Sequence, residues 1–493
     1  MTDHVELRAG AYADSVTLLQ VSRTVQSTPG VAAAQVAMAT ELNLDVLRAM
    51  GFQIPQEAGS NHLVVALRLA EDGDLALALA AVDDALAPTR PASGDVRVAP
   101  PRTTGAALRD HRDCLALISV PGASAVVEAM DALDAGSDVM VFSDNVPVAQ
   151  EIALKSAAQR LDRLVMGPDC GTAVVDGVGL GFANVVRPGR IGLVAASGTG
   201  CQQLLCLLHL AGAEHDGVGV TWALGVGGRD LSADVGGIST RAALRRLDDD
   251  PEIDLVVLVS KPPAEEVARD LRTFAEGLGT PVEFGLLGPG ERDLTAVAES
   301  ALARLGAPAP QWPVSGVDNT GPATGHYLRG LFVGGTLCDE AMLIATSTLG
   351  PIRSNIPLSP DLALGPDLTA PTHLMIDFGD DALTQGRAHP MIDPTLRLEH
   401  LTRVAEDPDT GVILLDLVLG HGAEPDPASR LAPAIAAARS ARPIPVIVAL
   451  LGTDLDPQDL HATREALVAA GAEVHLSNAY AARRAVELIG AAR

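Results

Sequence analysis

Aromatic residues are scarce. The 493-residue chain has seven Phe, three Tyr and two Trp, so its cores must be built from Ala, Val and Leu. Positive charge is also short, with 35 Lys and Arg against 62 Asp and Glu, a formal net charge of −27. A nucleic-acid backbone or an anionic bilayer would be repelled by such a surface, so neither is an expected partner. A small anionic substrate would have to be captured by local donors acting against the global field. Cysteines number five (Cys114, Cys170, Cys201, Cys206, Cys338), and none has paired metal-ligand spacing. They are expected to be reduced core residues, and no metal is expected. No apolar run reaches the roughly 18 residues of a membrane span, and no leader is read at the start, so a cytoplasmic location is expected. Neither GxxxxGK[ST] nor an early G-x-G-x-x-G is present, and no nucleotide-grasping segment is found.

Hydrophobic residues make up 47% of the chain, enough for several cores. At roughly 100–200 residues per domain, three or four domains are expected. Residues 1–88 alternate strand and helix, with strands in "VELRAG", "AAAQVAMAT" and "HLVVALRL" and helices at 14–28, 41–50 and 73–87. A Pro-rich linker follows at about 90–104. From 111 onward, apolar runs such as "CLALISV", "DVMVFSD" and "RIGLVAASG" alternate with Ala/Leu-rich helices, which predicts βαβ units and parallel sheets. A second linker is read at 306–327, and a last α/β unit fills the remainder. The fold class is therefore multi-domain α/β, with Rossmann-like or flavodoxin-like parallel sheets and a small α+β N-terminal domain. The expected divisions are 1–90, 105–187, 188–305 and 328–493.

Five stretches carry candidate chemistry. Ser197-Gly198-Thr199-Gly200 joins an apolar strand to an apolar helix. Glycines let a ligand approach the backbone, and a helix N-terminus offers unpaired N–H groups, although Ser197 or Thr199 equally suits an ordinary cap. Gly420-His421-Gly422 follows the strand "GVILLDLV" in the same way, with His421 a ligand, a base or a bystander. Two such turns facing each other would hold one phosphate between two positive helix ends. Asp169 and Cys170 lie in "GPDCGT", a turn at a strand's carboxyl end. Gly227, Gly228 and Arg229 lie in "LGVGGRDLSADVGG", where an arginine among glycines could clamp a carboxylate or phosphate. Arg387 and His389 lie in "GRAHPMIDP".

The run "GPDCGT…VVRPGRIGLVAASGTGCQQLLCLLHLAG…GVGVTWALGVGGRDLSADVGG" resembles the α subunit of succinyl-CoA synthetase, and the last 150 residues resemble the CoA-ligase domain of its β subunit. With "YADSVTLLQVSRTV", "GVAAAQVAMATELN", "FVGGTLCDEA" and "HPMIDPTLR", the chain is similar to the FdrA family over nearly its whole length. The resemblance implies a CoA-binding-like Rossmann domain at 105–187, a flavodoxin-type α-subunit-like domain at 188–305 and a CoA-ligase domain at 328–493. The phosphorylated-histidine loop of the synthetases has no counterpart, since "PVEFGLLGPG" stands there, and a strand ending "VSKPP" places Lys261 where they carry a glutamate. Their opening CoA-binding glycine loop has no counterpart in 1–110 either. No cofactor is therefore assigned, CoA included, and phosphate or carbamoyl phosphate is the expected ligand.

The family resemblance implies a subunit of an oxamate carbamoyltransferase of allantoin breakdown, in which oxalurate and phosphate give oxamate and carbamoyl phosphate. The implied phosphate-holding residues are Ser197, Gly198, Thr199, Gly420, His421 and Gly422. Arg229 or Arg387 would hold the substrate carboxylate, and Lys261 would offset leaving-group charge. Two further subunits and self-association are expected as partners. The alternatives are an acyl-CoA synthetase of the CoA-ligase type and a non-catalytic scaffold.

Overall fold

The computed structural model describes residues 2–11, 13, 15–59, 61–70, 73–87, 101–109, 111, 114–323, 325–384 and 388–491. The chain divides into two compact units, one of residues 1–100 with 384–388, the other of 101–383 with 389–493. Most of the linker expected at 90–104 lies outside the described residues.

In the first unit, β1 (Thr2–Ala9), α1 (Ser15–Gln26), β2 (Val31–Met38), α2 (Glu41–Ala49), β3 (His62–Leu69) and α3 (Leu75–Leu86) follow the alternation read from sequence. The sheet is antiparallel in the order β1-β3-β2. Strand alternation sorts the central strand's side chains onto two faces. Leu63, Val65, Leu67 and Leu69 pack with Leu18, Val21 and Val25 of α1 and with Ala78 and Val82 of α3. Val64 and Ala66 pack with Leu44 and Leu47 of α2.

Among the described residues the second unit holds three sheets. Helix α4 (Thr104–Leu108) leads into a short parallel sheet of β4 (Ala116–Ile118), β5 (Val139–Val141) and β6 (Val165–Met166), connected by α5 (Gly122–Asp134) and α6 (Val148–Arg160). Next come β7 (Thr172–Val175), β8 (Val178–Gly181), β9 (Ile191–Ala196), α7 (Gly198–Ala211), β10 (Val220–Gly225), α8 (Ile238–Asp248), β11 (Leu255–Ser260), α9 (Glu265–Ala275), β12 (Val282–Leu286) and α10 (Leu294–Arg304). They form a mixed sheet in the order β12-β11-β9-β10-β7-β8. Strands β7 and β8 belong to it by antiparallel pairing, although the sequence grouped them with the preceding domain.

The third sheet has the order β13-β18-β17-β16-β14-β15. Its elements are β13 (Val314–Ser315), β14 (Tyr327–Phe332), α11 (Gly335–Leu349), β15 (Leu374–Asp377), α12 (Asp381–Thr384), α13 (Thr395–Glu406), β16 (Thr410–Val418), α14 (Ala428–Ala441), β17 (Val446–Leu451), α15 (Leu460–Ala469), β18 (Glu473–His475) and α16 (Asn478–Gly490). Part of the expected linker 306–327 is thus ordered, because Val314 and Ser315 pair with β18 and the Trp312 indole donates to Glu299 at 2.8 Å. The strands β9, β11, β14, β16 and β17 are almost wholly buried, as parallel strands covered on both faces must be. One core runs from α7 and α10 through α11 and α16, joining the second and third sheets.

Strand order fixes where ligands can reach. From β9 the chain moves to β10 on one side, and from β11 to β12 on the other, so the crevice of this sheet opens at the carboxyl ends of β9 and β11. Ala196 pairs with Ser260 there, which sets Ser197 and Lys261 side by side. In the third sheet the same reversal falls between β14 and β16.

The entry to α11 is held by a buried ion pair. Asp416 of β16 accepts from the Val333 and Gly334 amides at 2.8 and 3.0 Å, and Arg397 of α13 lies 3.2 Å from its carboxylate. Arg397 also donates to the Leu331 carbonyl at 3.1 Å and to that of Asp416. Removing one member of such a pair strands the other. Asp416→Ala should lower the unfolding free energy by about 3–5 kcal/mol in urea titrations; a loss below about 1 kcal/mol would show that the pair does not hold this turn.

Candidate functional site

Two helices begin against each other. Ser197 takes an extended conformation at the end of β9, and its Oγ caps α7 by accepting from the Gly200 amide at 2.9 Å. The same Oγ lies 2.6 Å from Oγ1 of Thr336, in the first turn of α11. A Cβ on Gly334 would stand 2.8 Å from the Thr199 side chain, so only glycine lets the two helix ends approach this closely. Each helix leaves its first amides without intrahelical partners and carries the positive end of its dipole there.

Lys261 lies at this junction. Its Nζ is 3.0 Å from the point where a Gly335 Cβ would stand, and Asp377 Oδ2 is 2.7 Å from the same point. Among the described residues the carboxylates around that ammonium act on it as charges, not as hydrogen-bond partners. Burial works against its charge, but Asp339, Asp377, Asp169 and Asp380 outweigh burial and raise its pKa. A cation beside a helix N-terminus is electrostatically unfavourable unless an anion lies between them.

The surrounding carboxylates titrate near neutrality. Burial raises Asp377 to about 7, opposed by Lys261 and by the Gly379 amide. Burial, followed by the charge of Asp381, raises Asp169 to about 6, and burial raises Asp339 to about 6 against Lys261. Burial lowers His389 to about 4, so its ring is neutral. Its Nδ1 accepts from the Met391 amide at 3.2 Å, which leaves the proton on Nε2 and makes that nitrogen a donor. The His389 ring lies 5.4 Å from Phe182, itself 5.9 Å from Phe142, which concentrates scarce rings at one edge of the site.

The residues read from sequence divide clearly. Ser197, Gly198, Thr199 and Lys261 come together. Asp169, Gly227 and Gly228 line the same region: a Gly227 Cβ would meet the Pro168 carbonyl at 2.4 Å, and one on Gly228 would lie 3.8 Å from Asp169 Oδ2. Arg229 is partly engaged, by the Val146 carbonyl at 2.7 Å and Glu151 at 2.9 Å. Cys170 is buried, its thiol pushed up to about 12, and donates to the Thr172 carbonyl, so it is a packing residue. Cys201, Cys206 and Cys338 are buried as expected, but Cys114 is exposed. Arg387 lies outside the described residues.

The second helix end is not where the sequence placed it. The Gly420 amide donates to Gln458 at 3.0 Å, and the His421 amide donates to the Ala183 carbonyl at 2.8 Å. A Gly422 Cβ would lie 3.0 Å from Phe182. This turn is a clasp on residues 182–184, two of its amides are spent, and helix α14 starts only at Ala428. The partner of α7 is α11, and Gly334, Gly335, Thr336, Asp339 and Asp377 join the candidate site although sequence reasoning missed them. The signal was present in "FVGGTLCDEA": a strand, two glycines and a helix, the pattern already recognised at Ser197.

Asp377 supplies a test. Unfolded, its pKa returns near 3.8, so between about pH 4 and 7 the folded chain holds the extra proton. The stability it contributes is complete below pH 4 and lost as pH rises through about 7. Asp377→Asn cannot titrate, so its unfolding free energy should rise relative to wild type between pH 5 and 8, by on the order of 2 kcal/mol. A pH-independent difference in urea titrations would contradict the assignment.

The chain is similar to several known proteins. Residues 331–488 match the family model described as CoA-ligase, and residues 1–100 match one described as "AllF, heavy metal-associated domain". The latter segment contains no cysteine, and no metal-binding cluster occurs among the described residues, so its side chains do not fit a soft-metal site. The uncharacterized protein YahF of Escherichia coli (strain K12) is 38% identical over 96% of this chain and 95% of its own length. The succinate–CoA ligase α subunit of Methanothermobacter thermautotrophicus is 28% identical over 36% of this chain and 59% of its own. An acetyl-coenzyme A synthetase of Ca. Korarchaeum cryptofilum, solved with phosphate and ADP, covers 76% of this chain and 84% of its own at 16% identity and a TM-score of 0.29. No helix among the described residues is long and apolar enough to cross a membrane.

Proposed function

The chain belongs to the family of Escherichia coli YahF, and from that premise we propose that it is a CoA-ligase-type enzyme that transfers an acyl group between phosphate and a thiol. The observation that carries this reading is Lys261, a cation set against two converging helix N-termini with no hydrogen-bonded carboxylate among the described residues. A phosphoryl group between them would satisfy all three positive ends at once. The match of residues 331–488 to the CoA-ligase family supports acyl transfer to CoA over the alternatives.

In the reaction, the thiol sulfur attacks the acyl carbon of an acyl phosphate. The S–C bond forms, the C–O bond to phosphate breaks, and the thiol proton passes to a carboxylate. Asp377, Asp339 and Asp169 titrate in the range useful for receiving it. Lys261 and the helix ends stabilise the departing phosphate. His389, donating from Nε2, is available to polarise a carbonyl oxygen.

Carbamoyl transfer is the second reading, and one observation favours it. The "PVEFGLLGPG" stretch carries no histidine, so a phosphoryl group need not be carried on the protein there. Carbamoyl phosphate is itself an acyl phosphate and would use the same pocket, with the amide nitrogen of oxamate replacing the thiol as acceptor, the N–C bond forming as the C–O bond to phosphate breaks. That reading calls for two further subunits.

Calorimetry separates the readings. Acetyl phosphate and CoA should both bind the wild-type chain. Gly335→Ala puts a methyl group against Asp377 and Lys261, so acetyl phosphate affinity should fall at least about tenfold, or 1.4 kcal/mol. Alanine suits a helix at least as well as glycine, so stability should hold within about 1 kcal/mol. Unchanged acetyl phosphate binding in the variant would refute the pocket. Carbamoyl phosphate binding without CoA binding would select the second reading.

A further inference from the structure

A second cavity lies at the other end of α7. It has a volume of about 180 Å³ and opens between the last turns of α7 and the carboxyl edge of the third sheet. His209 is twelve residues from Ser197, about 18 Å along the helix at 1.5 Å per residue, so this cavity is separate from the paired helix ends. Its wall is largely apolar and includes Cys206, Leu210, Leu450, Leu460, Val474 and Leu476.

The polar groups of the cavity have an ordered division of labour. His209 Nδ1 accepts from the Arg187 amide at 3.1 Å, and its Nε2 lies between Asp454 Oδ1 at 2.5 Å and Arg187 Nη1 at 2.7 Å. Arg187 lies 3.3 Å from the other Asp454 oxygen, so these charges offset each other. His475 is paired with Glu473 at 2.9 Å. The remaining cation is Arg464, which donates to His461 Nδ1 at 3.0 Å and forms no ion pair among the described residues. Arg464 and His461 stand in the first turns of α15, whose N-terminus is capped by Asp459, the carboxylate accepting from the His461 and Ala462 amides at 3.1 and 3.0 Å. A chain of net charge −27 thus presents a small, largely apolar chamber with Arg464 on its lining, a cation in no ion pair among the described residues.

We propose that this cavity binds a small monocarboxylate with an apolar body. A dry cavity near 150 Å³ accommodates benzene, so an occupant of about six to ten non-hydrogen atoms fits. The apolar part lies against Leu210, Leu450 and Leu476, and the carboxylate meets Arg464. The assignment rests on this cavity alone and is independent of the reaction at Lys261.

Benzoate is the probe, with benzyl alcohol as its neutral counterpart, titrated into the full chain and followed by calorimetry and ligand-observed NMR. Wild type should bind benzoate more tightly than benzyl alcohol. Arg464→Gln should weaken benzoate about tenfold and leave benzyl alcohol unchanged, and Ala213→Trp, a bulky group on the cavity lining, should abolish both. Absence of benzoate binding to wild type would overturn the proposal, as would full benzoate affinity in Arg464→Gln. Loss of benzoate binding in Gly335→Ala, with Arg464→Gln unaffected, would also overturn it by placing the probe at the paired helix ends.

Discussion

The architecture of the second unit depends on two helix N-termini being forced together. Two positive dipole ends repel each other, and the fold must hold them against that repulsion. The Ser197–Thr336 hydrogen bond does so at the surface of contact, and the bare Cα of Gly334 removes the side chain that would separate them. Beneath α11, Asp416 takes both amides of the turn and is balanced by Arg397. These groups are buried in a core shared by two sheets, so the arrangement is stiff. One buried ion pair and one hydrogen bond thus hold two like-charged helix ends together, and an anion between them would relieve their repulsion.

The carboxylates explain how such a place can exist in an acidic protein. Asp169, Asp339 and Asp377 surround Lys261, yet burial keeps each partly protonated near neutrality. They sustain the lysine's charge without filling the position in front of it. An arriving anion would shift them further toward the protonated state, so binding and proton uptake are coupled.

Much of the fold was legible in the sequence because apolar runs and helix patterns alternate cleanly. The N-terminal strands and helices fall within a few residues of their predicted positions, and the Ser197 turn was readable as strand, glycine and helix. Two kinds of information were not local. The pairing of β7 with β10 depends on tertiary contacts that no periodicity encodes, so those strands were assigned to the wrong layer. The identity of α7's partner was equally hidden. Leu419-Gly420-His421-Gly422 and Val333-Gly334-Gly335-Thr336 have the same local grammar at the two switch-point strands of one sheet. Only the structure shows that the former is tied to Gln458 and Ala183 while the latter meets Ser197. Asp377 was missed because a single aspartate ending a strand has no spacing signature, and its role comes from burial beside Lys261.

The central claim is that a tetrahedral oxyanion belongs where α7 and α11 meet. A crystal structure of the full chain grown with phosphate, at high enough resolution to place the ion, tests it most directly. The account predicts phosphate density contacting Lys261 Nζ and the first amides of both helices. Phosphate bound elsewhere with this junction empty, or Lys261 turned away to pair with Asp339 or Asp377, would contradict it.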